Sequence, residues 1–403
     1  RFVDGSFDFF EGKGDLGGPL GRAFVVPMRS DRLDDNYASE SIPFYPLLDP
    51  RRFGVTSEIR MRTMYGVPPT VLDTYLKSDL PSETGVLVLC PLYSDMAKDI
   101  WTDPNDFMQA LALAKVVDGV LEATARFVHG TLGIDYAGLG AILPHSTLTD
   151  FGRKLRAIEG MERLVTTTGH GGTVYMIART ARAVLEHSLV ESDDRIGVLG
   201  GAGSIGWSTI EALRKMIPCH WLHVFDKREE QLRGLLNGRP GLDRVAVAGS
   251  VADVLLHNRL IVSAITERID LDDPPYRDID FTGTLWIDDS QPGSVDREQL
   301  ESRGGTVIWV AGQDGSASRL MTKDGHYTGG VGYDYGATSG LYGPTTEFAC
   351  GLEAAVVAAS QNPANAVTGP VQYADVARIG ALFDEYGVEL APFQSFGRRV
   401  DFG

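Results

Sequence analysis

The sequence predicts an α/β fold with a doubly wound parallel sheet, and three observations predict it. Short apolar runs recur from residue 193 to 340, at Arg195–Leu199, Trp221–Phe225, Val245–Val247, Leu260–Ile265, Thr284–Asp288 and Thr306–Val310. Helical patterns fill several of the gaps, and strands alternating with helices imply crossover connections and so a parallel sheet. The first run ends in Gly200-Gly-Ala-Gly-Ser-Ile-Gly206, a strand-to-helix turn built almost wholly of small residues.

The elements follow in order. A helix is expected from the glycine turn to about Met216, another over Arg228–Leu236 and a third over Val251–Leu256. Upstream, 105–132 reads as one long helix, with apolar residues three and four apart and Gly130 as a stop. Thr173–His187 reads as a further helix leading into the first strand. EFACGLEAAVVAAS (347–360) is helical behind the Gly343-Pro344 break and carries Cys350; a last helix is expected over Tyr373–Tyr386. Residues 1–84, rich in proline, aromatics and charge, show no sustained period and are read as irregular structure packed on the substrate lobe. The Gly- and Tyr-rich segment 325–344 reads as a lid or a plain surface loop.

The expected organisation is therefore a Rossmann-type domain at 193–342 inserted in a discontinuous, mainly helical α/β substrate lobe. That lobe is formed by 85–192 and 343–403, with the N-terminal extension 1–84 packed on it and a cleft between the two parts. The length of 403 residues suits such a bilobal unit. A net charge of −17 argues against nucleic acid and anionic lipid as partners. No apolar run approaches the ~18 residues of a membrane span. Cys90, Cys219 and Cys350 lack metal or disulfide spacing. With no signal-peptide pattern at the start, a reducing, cytoplasmic setting is expected and no metal site. The oligomeric state is not legible.

Gly201-x-Gly203-x-x-Gly206, extended by Gly200 and enclosing Ser204 and Ile205, fits the dinucleotide fingerprint in its required context between strand and helix. Glycines let the pyrophosphate approach the backbone, and the helix N-terminus offers oriented N–H groups. Asp226 ends the next strand, where a carboxylate accepts the adenosine ribose hydroxyls and favours NAD(H). Lys227 and Arg228 follow at once and soften that preference toward NADP(H); Ser263 completes the candidate cofactor contacts. Cys350 alone reads as a small buried hydrophobe. Its place just after the sheet block and the lid-like segment puts it at the expected cleft.

Several motifs stand in a familiar order: GLGAILPHST (138–147), TTGHGGTVY (167–175), VLGGAGSIG (198–206), IDDSQP (287–292), EFACGLEA (347–354) and ARIGALFDEYGVELAPF (377–393). Over about 85–395 the chain resembles the aldehyde-forming long-chain acyl-[acyl-carrier-protein] reductases of cyanobacteria. The resemblance implies reduction of a fatty acyl thioester, carried by acyl carrier protein or coenzyme A, to an aldehyde. It places Cys350 on the family's nucleophile and Gly200, Gly203 and Gly206 on its cofactor glycines. The chain departs from the pattern at Asp226, where the family carries a basic or neutral residue and uses NADPH. It departs again at His170, Gly171 and Gly172 inside the TTG motif.

The chemistry agrees with the residue types. A thiolate exchanges with a thioester at little energetic cost, so a cysteinyl acyl-enzyme can form and await reduction. His170 is the first candidate for the base; His145, beside Ser146, is the second. Glu353 is either an acid on the oxyanion side or a helix-surface residue. Thr168, Gly169 and Thr173 belong to a turn whose N–H groups are candidates to hold the substrate carbonyl. Arg153, Lys154, Arg156 and Arg163 form either a dock for an acidic carrier protein or a solvated basic helix face. Two other readings stay open: a bilobal NAD-dependent dehydrogenase of a small hydroxy or amino acid without covalent catalysis, and a dinucleotide-binding protein without turnover.

Overall fold

The computed structural model describes residues 20–28, 69–77, 84–93, 107–146, 148–187, 195–290, 293–314, 316–318, 346–395 and 398–401. The lid-like segment 325–344 lies outside them, as do residues 291 and 292. The strands of the two large sheets are β1 (Leu20–Met28), β2 (Thr70–Lys77), β3 (Thr84–Tyr93), β4 (Tyr136–Leu139), β5 (Val165–Thr167), β6 (Ile196–Leu199), β7 (Leu222–Phe225), β8 (Val245–Val247), β9 (Leu260–Ser263), β10 (Leu285–Asp288), β11 (Thr306–Trp309) and β12 (Ser316–Ser318). The α-helices are α1 (Phe107–Arg126), α2 (His170–Glu186), α3 (Ser204–Met216), α4 (Glu229–Leu236), α5 (Val251–His257), α6 (Arg297–Glu301), α7 (Ala349–Ala359) and α8 (Tyr373–Glu385). The chain forms two compact units. One comprises Arg1–Gly169, Gln313–Gly369 and Glu385–Val388; the other comprises His170–Gly312, Pro370–Asp384 and Glu389–Gly403.

The first unit is built on a six-stranded sheet in the order β12-β2-β3-β1-β4-β5. Its middle is parallel: β1 lies between β3 and β4, and β4 pairs with β5. The antiparallel pairings of β2 with β3 and of β12 with β2 complete one side. Within residues 1–84, expected to be irregular, Leu20–Met28 and Thr70–Lys77 are instead strands, and β1 is a central one. Ala23, Phe24 and Val25 are all buried, as a strand covered on both faces requires. In β3, Val86–Cys90 is likewise buried without a break. The helix expected at 105–132 is α1, continued by a π turn over Phe127–Thr131. Helix α7 packs on β1 and β4.

The second unit holds a sheet of six parallel strands in the order β11-β10-β9-β6-β7-β8. Counted from β6, this is the 3-2-1-4-5-6 order of the doubly wound dinucleotide fold. All six strands fall on the apolar runs read from the sequence. Their carboxyl ends line up, with Leu199 opposite Phe225 and Ser263, and Ser263 opposite Asp288. Helix α2 packs on α3 and against β9 and β10, so this unit begins at His170 rather than 193. It also takes in α8, which the sequence reading gave to the substrate lobe. Gly380 makes room for Tyr175 here: a β-carbon at Gly380 would lie 2.3 Å from the Tyr175 ring.

Candidate functional site

The glycine loop of the second unit tolerates no side chains where it turns. Gly200 has φ +88°, and a β-carbon there would lie 2.4 Å from the Ala264 carbonyl oxygen. One at Gly206 would lie 2.0 Å from the Gly200 carbonyl oxygen, and one at Gly201 would lie 2.3 Å from Val224. Helix α3 begins at Ser204, directly after Gly203. The cradle is what a pyrophosphate needs: a bare backbone leading into the N-terminus of a 13-residue helix. Ser204 and Ser208, one turn apart, clasp one residue of the chain. Ser204 Oγ accepts the Val371 N–H at 2.9 Å, and Ser208 Oγ donates to the Val371 carbonyl at 2.8 Å.

Asp226 is folded over this loop. Its Oδ2 accepts the Ala202 N–H at 2.8 Å, and its Oδ1 accepts the Arg228 N–H at 2.8 Å and Nε at 3.1 Å. Burial pushes its carboxyl upward, but the Arg228 side chain and the two N–H donors together hold it below the ordinary carboxylate range. Asp226 is therefore an ionised group already paired with a cation. Arg228 Nη2 would lie 3.7 Å from a β-carbon on Gly203, so the guanidinium reaches the loop. Lys227 turns away to pair with Glu267 at 2.7 Å. Ser263 is fully buried, and its Oγ has no hydrogen-bond partner among the described residues. Opposite it, the fully buried Asp288 accepts the N–H groups of Ser290 (2.8 Å) and Ser294 (2.6 Å), which fixes the turn after β10.

In the first unit, Cys350 lies in the first turn of α7, which begins one residue before it. Helix N-termini stabilise a thiolate. Gly169, with φ +76°, touches this turn: a β-carbon on it would lie 2.3 Å from Cys350 Cβ and 2.7 Å from its Cα. One helical turn on, a β-carbon on Gly138 would lie 2.5 Å from that of Ala354. The two glycines set how closely α7 seats on the sheet. Cys350 itself is partly exposed.

Glu353 is fully buried and acts on the same contact. Its Oε1 accepts the Gly169 N–H at 3.0 Å and the Thr167 hydroxyl. Thr167 Oγ1 in turn accepts the Val367 N–H at 2.9 Å, and the Thr168 N–H donates to the Val367 carbonyl at 3.0 Å. Glu353 is thus neither a helix-surface residue nor, from these contacts, a free acid; it ties the end of β5 to α7. The sequence reading missed Thr167 as its partner, although the TTG motif contains it.

The remaining candidates are divided between the two units. His170 and Thr173 are buried in the first turn of α2, in the second unit. Ser146 Oγ donates to the Leu143 carbonyl at 2.9 Å and pairs with Thr149 Oγ1 at 2.7 Å, a local turn role. Burial holds His145 below the usual imidazole range, and its ring meets Phe151 edge-on at 4.9 Å. The expected basic helix at 151–163 is a series of turns with one 3-10 turn at Leu155–Ala157. Its basic groups are dispersed: Arg163 pairs with Asp135, and Arg153 packs on Gly369. Among the described residues, no group of three His, Cys, Asp or Glu could hold a metal, and no helix is long and apolar enough to cross a membrane.

No family model matches the chain. No curated protein matches it significantly. Solved structures similar to parts of it include S. aureus TarJ, 20% identical over 34% of this chain and 44% of that one, with a TM-score of 0.26. L-tryptophan dehydrogenase from Nostoc punctiforme is 12% identical over 73% of this chain and 70% of that one, with a TM-score of 0.34. The dehydroquinate dehydratase and shikimate dehydrogenase of S. pombe AroM is 10% identical over 72% of this chain and 47% of that one, with a TM-score of 0.31. The match to TarJ thus spans less than half of that protein's length.

Proposed function

We propose that this protein is an NAD(P)H-dependent thioester reductase that forms an aldehyde through an acyl-enzyme on Cys350. The observation that carries the reading is the seating of Cys350: a partly exposed thiol in the first turn of an 11-residue helix, pressed against Gly169. The helix N-terminus favours the thiolate. Cys350 Sγ attacks the thioester carbonyl carbon, the carrier's sulfur departs as a thiolate and takes up a proton, and the acyl group stays on Cys350. The dinucleotide would be held by Gly200–Gly206 and Asp226, and it supplies a hydride when bound. After reduction, the C–S bond to Cys350 breaks, the aldehyde leaves and the thiolate is restored. Glu353 holds the Thr167–Gly169 backbone in register with Cys350 throughout.

Arg228 beside Asp226 supports use of both cofactors: the carboxylate suits ribose hydroxyls, and the guanidinium suits a 2′-phosphate. The substrate class is a fatty acyl thioester of acyl carrier protein or coenzyme A, by the motif resemblance. The test is oxidation of NADH and NADPH with palmitoyl-coenzyme A and with palmitoyl-carrier protein, using wild type and Cys350→Ser. Cofactor oxidation with equimolar aldehyde in wild type only supports the reading. Oxidation that survives in Cys350→Ser removes the covalent step and favours a dehydrogenase without it.

A further inference from the structure

Residues 367–371 carry the chain from the first unit into the second, and the boundary falls between Gly369 and Pro370. Burial alternates along the crossing: Val367, Gly369 and Val371 are buried, while Thr368 and Pro370 are exposed. Each end is bonded inside its own unit. At the first end the Val367 N–H donates to Thr167 Oγ1 at 2.9 Å, and the Val367 carbonyl accepts the Thr168 N–H at 3.0 Å. In the middle, the Gly369 N–H donates to the Phe151 carbonyl at 3.1 Å. Gly369 has φ +86°, and a β-carbon on it would lie 2.1 Å from Arg153 Nη2, so glycine is required there. Pro370 fixes its own φ and has no N–H to satisfy. At the second end, Ser204 Oγ and Ser208 Oγ hold the Val371 N–H and carbonyl at 2.9 and 2.8 Å. The crossing is therefore a short, stiff strap, pinned at both ends and in its middle.

The anchors are the two places that matter to the chemistry. Ser204 is the first residue of α3, the helix that closes the glycine loop. Thr167 shares Glu353 Oε1 with the Gly169 N–H, and Gly169 presses on Cys350. We propose that the strap couples the two: a dinucleotide held at the glycine loop steadies the Thr167–Gly169 turn, and with it the seat of Cys350. A ligand that quiets the first turn of α3 restrains Ser204 and Ser208. These restrain Val371, and the order passes along the pinned strap to the backbone that Val367 grips. No displacement is needed, because ordering alone transmits free energy. The inference rests on the dinucleotide-holding part of the proposed function and not on the thioester or the acyl-enzyme.

The test is hydrogen exchange read by mass spectrometry on the full chain, with and without ADP-ribose. That probe fills a pyrophosphate cradle and carries no nicotinamide to touch Cys350. Wild type is compared with Ser208→Ala, which removes one bond to Val371, and with Pro370→Gly, which keeps every bond but frees φ at an exposed position. In wild type, ADP-ribose slows exchange at 200–206 and, by about five-fold or more, at 165–169 and 367–369. In both variants the protection at 200–206 remains, and most of the distant protection is lost. Protection confined to 200–206 in wild type overturns the coupling. Distant protection that persists in both variants assigns it to the Gly169–His170 crossing and overturns the strap. Absence of protection at 200–206 refutes the dinucleotide reading itself, and the coupling with it; failure of the strap alone leaves that protection in place.

Discussion

Gly169 stands against Cys350 so closely that a single added carbon would fall 2.3 Å from the Cys350 β-carbon. The contact is with the helix's own backbone as well as its side chain, so no rotamer change relieves it. Gly169→Ala combines this overlap with a left-handed φ and should destabilise the chain by about 2–4 kcal/mol. Gly160 is the control: φ is +82°, and nothing lies within 4 Å of an added carbon. Gly160→Ala should cost only about 1–2 kcal/mol, the conformational term. Urea midpoints of the two variants check this; equal shifts would mean that the Gly169 contact is not tight.

Glu353 separates a positioning role from a general-acid role. Glu353→Gln keeps a carbonyl oxygen for the Gly169 N–H and the Thr167 hydroxyl, and should cost under about 1.5 kcal/mol. Glu353→Ala leaves both donors buried without that acceptor and opens a cavity, for a loss of about 3–5 kcal/mol. If Glu353 positions Cys350, the Gln variant retains most of its acylation rate. A Gln variant as slow as the Ala variant, though folded, would restore the acid.

Much of the second unit was legible, and the reason is local. Each of its strands is a short apolar run ended by a small or polar residue, and the glycine loop declares both its strand and its helix. β1 was not legible. LGRAFVVPM holds a glycine, an arginine and a proline, and it becomes a strand because β3 and β4, far along the chain, flank it. Helix α2 starts at His170, three residues before the expected Thr173, and holds Gly171 and Gly172 buried in its first turn. Cys350 was legible as a candidate, but its contact with Gly169 joins residues 181 apart and no periodicity encodes it. Glu353 was recognised without its partners for the same reason, since Thr167 is 186 residues away.

Cofactor preference should turn on the Asp226–Arg228 pair. Asp226→Ala removes the repulsion of a 2′-phosphate and releases Arg228 to meet it. The ratio of kcat/KM for NADPH over NADH should rise by roughly ten-fold or more. Arg228→Ala should move the ratio the opposite way. Steady-state kinetics with each cofactor give both ratios, and shifts of the same sign would show that the pair does not discriminate.

Acid should weaken the fold through two buried histidines. Burial holds His145 and His223 below the usual imidazole range, although the nearby Asp253 carboxylate partly opposes this at His223. In the unfolded chain both titrate near about 6.5. Between that value and their folded values the unfolded chain binds more protons, so stability falls as pH drops through that window and is level above about 7. Urea midpoints at pH 7.5 and 5.5 measure it, and His223→Gln should flatten part of the slope. A midpoint that does not fall with acid in the wild type would contradict the burial argument.

The most direct test of the central claim is intact-protein mass spectrometry after incubation with palmitoyl-coenzyme A or palmitoyl-carrier protein, without reduced cofactor. Cys219 is exposed and Cys90 is buried, with its thiol pushed up to about 12 by burial, so Cys350→Ala and Cys219→Ala are measured alongside wild type. The account predicts one palmitoyl-sized gain in wild type and Cys219→Ala, none in Cys350→Ala, and loss of the adduct when NADH or NADPH is added. No adduct from either donor, or an adduct that persists in Cys350→Ala, would contradict it.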